Sequence, residues 1–178
     1  MIFESQYWKN DLSNNIRFMH EKLDQRVWRD ASFGSLEKRI MLSCYIVRKL
    51  FEANKITREL FNTPTKLYAF KNRGKVVDAL NCHRLEDLYE VESPKTITKP
   101  FSYVINQVIH SFVYFYTLKK KNELEGFLFN SDKSKNSVLY MIKLIDFIKL
   151  LSPIAGCYIG KSTMRRNKDG EWVLVDAQ

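Results

Sequence analysis

The chain has 178 residues, 45% hydrophobic and 13% aromatic, with a formal net charge of +9. That length and apolar content suit a single domain with one core, and the wealth of aromatic side chains excludes a disordered chain. No apolar run approaches the roughly 18 residues of a membrane span, and MIFESQYWKNDL lacks the basic start and apolar centre of a secretion signal, so a cytoplasmic protein without membrane contact is expected.

Leu12, Ile16, Met19, Leu23 and Val27 recur at helical spacing, as do Leu36, Ile40, Cys44, Val47 and Phe51. These stripes predict two amphipathic helices, over 4–27 and 35–54, with Asp30, Ser32 or Ser35 available as N-caps. Their short connection makes them antiparallel neighbours. At Asn62-Thr63-Pro64 the period changes. Residues 66–71 (KLYAFK) alternate like a strand that ends in the turn Asn72-Arg73-Gly74, and 76–80 offers a second strand. Residues 84–89 suit one or two helical turns, Pro94 and Pro100 bracket an extended piece holding Thr96, Ile97 and Thr98, and 101–109 suits a helix. A meander of strands at 111–118, 125–129 and 137–142 follows, then a helix over 144–151 stopped by Pro153. A last hairpin pairs 163–166 with 171–175. The expected fold is therefore α+β: an N-terminal antiparallel helical hairpin (1–62) packed with a small, mainly antiparallel sheet and a later covering helix (63–178), in one domain.

The basic balance favours acidic partners such as nucleic acid. Its distribution is even: 11 Lys and Arg against 8 Asp and Glu in 1–60, 7 against 5 in 61–110, and 11 against 7 in 111–178. Two local concentrations stand out, Lys119-Lys120-Lys121 and the tail with Lys161, Arg165, Arg166 and Lys168. Tyr114 and Tyr116 run into the first of these. Rings on a sheet face stack on unpaired bases while neighbouring lysines neutralise phosphates. Alternating aromatics in a strand more often pack a core, and a lysine run at a turn more often keeps an edge soluble.

Three cysteines, Cys44, Cys82 and Cys157, are too scattered for a disulfide framework or a Cys-x-x-Cys metal site, so no metal or cofactor is expected. Ala155 to Ser162 (AGCYIGKS) matches a permissive phosphate-binding loop, and 172–176 resembles a strand ending in a magnesium-binding acid. The context fails, because such a loop opens a helix and the nine residues between Ser162 and Trp172 fall short of a parallel crossover.

Two histidines sit in polar company, His83 in ALNCHRLEDLY and His110 in NQVIHSF. These segments, within about 79–112, resemble a pairing in a family of small bacterial proteins with no assigned activity. The resemblance implies a bacterial source and a similar fold, and no mechanism. Chemically, two imidazoles titrating near neutrality can divide acid and base roles in phosphodiester cleavage, or satisfy backbone groups at the ends of elements. The leading expectation is a non-enzymatic basic protein contacting nucleic acid or a nucleoprotein partner. One alternative is a metal-independent ribonuclease or phosphodiesterase using His83 and His110. Another is an interaction module that forms a homodimer through its long helices, since Trp8, Trp28 and Phe33 exceed what a two-helix core needs.

Overall fold

The computed structural model describes residues 2–159, 162–166, 168, 170 and 172–177, with side chains excepted at Ser162, Met164 and 172–177. Two N-terminal helices, α1 (Ser5–Leu23) and α2 (Asp30–Glu52), pack together, as their apolar stripes require. Leu12, Met19, Leu36, Ile40, Cys44 and Val47 are fully buried. Val47→Ala should therefore cost about 1 to 3 kcal/mol in urea denaturation, and half-buried Leu23 should cost less. An unchanged midpoint for Val47→Ala would mean that this stripe does not pack.

Both helix boundaries differ from those the sequence predicts. α1 stops at Leu23 because Trp28 is drawn out of line: its indole N–H donates to the Asn122 carbonyl at 3.0 Å and its ring stacks on Phe33 at 4.8 Å. α2 begins at Asp30, five residues early, and carries Gly34 without a break. A short helix that periodicity could not reveal, α3 (Arg58–Phe61), is capped by Thr57, whose hydroxyl accepts the Leu60 N–H.

Among the described residues there follow β1 (Pro64–Lys71), α4 (Leu85–Leu88), β2 (Lys95–Pro100), α5 (Phe101–Ile109), β3 (Ser111–Leu118), β4 (Leu124–Ser131), β5 (Val138–Lys143), α6 (Leu144–Ala155), β6 (Ser162–Arg166) and β7 (Trp172–Ala177). The expected strand at 76–80 is absent. Asp78 and Asn81 close turns there, with Asn81 Oδ1 accepting the Asp78 N–H and Asp78 Oδ1 accepting the Leu80 N–H, so side chains take the bonds a ladder would need. α6 also runs through Pro153 instead of stopping before it. Burial of Ile154 holds that last turn.

The main sheet is antiparallel throughout, in the order β2-β1-β5-β4-β3. β3 to β5 form the expected meander. α5 carries the chain from one edge strand, β2, to the other, β3. Alternation along the strands separates two faces. One face, with Leu67, Phe127, Phe129, Tyr140 and Ile142, packs on the helices in the main core, where α1 lies against α6 and α2 against α5. The opposite face carries a second, smaller cluster that holds no residue of α1, α2, α5 or α6. Part of it is covered by the chain between β1 and β2, through Val77, Leu88 and Tyr89. A buried polar network fixes that cover: Asn130 donates to the Tyr89 hydroxyl at 2.9 Å and to the Val138 carbonyl at 3.0 Å, and Tyr89 donates to the Lys135 carbonyl at 2.7 Å. No described helix is long and apolar enough to cross a membrane.

Candidate nucleic-acid interface

The register of the five strands aligns one row across the less covered face. Thr96 lies opposite Tyr68, Tyr68 opposite Met141, Met141 opposite Leu128, and Leu128 opposite Phe115. Met141 and Leu128 are buried as the floor, while Tyr68 and Phe115 stand half-buried on either side of them. Alongside runs a more polar row with Thr98 opposite Lys66, and Lys143 opposite Gly126, which lies opposite Thr117. Lys66, Thr96 and Thr98 are exposed.

Tyr68 is the centre of this surface. The Lys66 and Lys143 ammonium groups each lie 5.6 Å from its ring centroid, within cation–π range. Neither lysine forms an ion pair with a carboxylate among the described residues, and the Tyr68 hydroxyl has no hydrogen-bond partner there. The site is thus an aromatic ring with two uncompensated cations on a solvent-facing sheet. The alternation of KLYAFK already put Lys66 and Tyr68 on one face of a strand. What it lacked was Lys143, which reaches the same ring only because β5 pairs with β1.

The residues singled out from the sequence lie elsewhere. Tyr114 and Tyr116 are on the helix-packed face: Tyr116 stacks on Phe33 at 5.1 Å and donates to the Phe33 carbonyl at 3.3 Å, and Tyr114 stacks on Phe127 at 5.5 Å. Burial pushes both phenols well above their ordinary pKa. Each ring already stacks on an aromatic partner on the helix-packed side of the sheet. Trp28 and Phe33 belong to the same internal stack.

Lys119, Lys120 and Lys121 are exposed at the β3–β4 connection, on and beside a tight turn over Lys120–Asn122. The loop between α1 and α2 docks there, through Trp28 and an Arg26–Glu123 ion pair of 3.3 Å, which brings Arg26 near the three lysines. Arg165 and Arg166 are exposed on β6. Lys161 lies outside the described residues.

His83 and His110 are both exposed. His83 precedes α4 in the segment that covers the second cluster, and His110 caps α5, which packs on the opposite face. Neither imidazole makes a hydrogen bond among the described residues, and no described contact joins the two side chains. An acid–base pair needs both groups within hydrogen-bond reach of one reacting centre. No group of three side chains suited to holding a metal ion occurs among the described residues. Comparison of the chain with protein-family models, curated proteins and solved structures finds no match, so any reading of function stands on this geometry.

Proposed function

We propose that the protein binds single-stranded nucleic acid across the less covered face of its sheet and performs no reaction on it. The observation that carries this reading is the Tyr68 ring with the Lys66 and Lys143 ammonium groups beside it, each 5.6 Å from its centroid. Every base has a π-face, so a ring on an open sheet accepts unpaired bases without regard to sequence, and ammonium groups beside it follow the phosphates. Phe115 extends the apolar row, and the Thr96 and Thr98 hydroxyls offer hydrogen bonds at its edge. The net charge of +9 adds long-range attraction.

Fluorescence anisotropy with a labelled oligothymidylate tests the proposal. Affinity should fall as salt rises, by about 0.7 log units per log unit of salt for each neutralised phosphate. Changing Lys66 and Lys143 together to Gln should weaken binding and flatten that slope by about 1.4. Tyr68→Ala should cost about 1 to 3 kcal/mol of binding with the slope preserved, because stacking releases no counterions. Absence of binding at low salt would refute the proposal. So would full binding by the lysine double variant with loss on changing Lys119, Lys120 and Lys121 to Gln, which would move the contact to the hairpin.

A further inference from the structure

We propose that the groove between α1 and α2 is a binding site for a small organic anion that combines a flat ring with a phosphate or carboxylate group. The groove has a volume of about 880 Å³, within the range of about 300 to 1,000 Å³ typical of ligand pockets. It lies between the two helices and is separate from the sheet face. Trp8, Phe18, Leu42 and Tyr45 form its walls, with the Trp8 and Tyr45 rings 6.3 Å apart. Those two rings pack on each other, tilted by 35°, and together offer one aromatic surface for a flat ligand ring to lie against.

Among the polar groups that line the groove, Arg39 is the anchor for an anion. Arg39 lies with its guanidinium 4.3 Å from the Phe18 ring centroid and donates through Nη1 to Asn15 Oδ1 at 2.9 Å. Those two contacts hold the planar group in place, yet no carboxylate pairs with it, and its other N–H groups have no partner among the described residues. Arginine only donates, so the contact also orients the Asn15 amide, with Nδ2 as the remaining donor. Asn15 is only 5% exposed. Its Nδ2 likewise has no partner among the described residues, although it belongs to a side chain lining the groove. That nitrogen reaches solvent in the groove, where an acceptor oxygen of the ligand takes the place of water. Asp11 and Lys38, both exposed, also border the groove and offset each other's charge. The net demand is for acceptor oxygens bearing negative charge, which an arginine fork binds in two-point fashion.

Isothermal titration calorimetry of the full chain with AMP and with 2-naphthoate tests the site, the two ligands separating a phosphate from a carboxylate source. At least one should bind saturably at one per chain. Adenosine or naphthalene, lacking the anion, should bind at least tenfold more weakly than its charged counterpart. Arg39→Gln should weaken binding at least tenfold. Leu42→Glu, at an exposed rim position, should do the same and serves if the first variant fails to fold. Changing Lys66 and Lys143 together to Gln should leave this binding intact. Failure of both anions to bind, wild-type affinity in the Arg39 or Leu42 variant, or loss in the lysine double variant would overturn the proposal.

Discussion

Gly126→Ala is expected to destabilise the protein by at least about 3 kcal/mol, a cost that chemical denaturation would read directly. A methyl group built at Gly126 overlaps the Ile142 carbonyl oxygen and stands 2.9 Å from both the Ile142 carbonyl carbon and Lys143 Cα. All of these are backbone atoms of the neighbouring strand, so no side chain can swing aside. The β4–β5 pairing, which runs Gly126 to Lys143 and Phe127 to Ile142, would have to open. Phe127 and Ile142 are fully buried, and their separation would disturb the main core. Gly34→Ala is the matched control. Nothing lies within 4 Å of a methyl there and the site is helical, so a gain of roughly 0.5 to 1 kcal/mol is expected from helix propensity. Equal stability of the two variants would show that the strands around Gly126 are not packed as described.

Raising pH above 10 should unfold the protein cooperatively. Tyr114, Tyr116 and Tyr140 all have phenols whose pKa burial pushes well above the ordinary value, and burial raises Tyr89 as well. In the unfolded chain these phenols release their protons near a pKa of about 10. The folded chain retains them, so above that pH the unfolded state binds fewer protons and stability declines with pH. The contribution is fully present below about pH 10 and is lost as pH rises toward the folded-state values. Three such groups together give a slope of up to about 4 kcal/mol per pH unit. Tyrosinate absorbance should therefore rise in step with the loss of helical circular dichroism. Gradual ionisation in a chain that stays folded would show that these hydroxyls reach water. Tyr116→Phe removes one titrating group and should shift the transition upward in pH.

The periodicities of 3.6 and 2 in the sequence were enough to specify the α+β architecture, the helical hairpin and the β3–β4–β5 meander, because each depends on contacts between residues close along the chain. Element ends were less legible: Trp28 leaves the helical line to reach Asn122, and the strand reading of 76–80 yields to side-chain bonds from Asp78 and Asn81. The assignment of faces was decided only by tertiary structure. Alternation sets Phe115 on the opposite side of the strand from Tyr114 and Tyr116 without deciding which side meets the helices. Packing of Phe33 on Tyr116 turns the two tyrosines into the core and leaves Phe115 on the other face. Likewise Lys66 and Tyr68 share a face by local alternation, but Lys143, distant in sequence, joins them through the β1–β5 pairing. Asn15 and Arg39 meet across two helices in the same way. Composition and local pattern dictate which elements form, whereas a binding surface depends on which side chains distant pairings bring together, and that is settled by how the layers close on their cores.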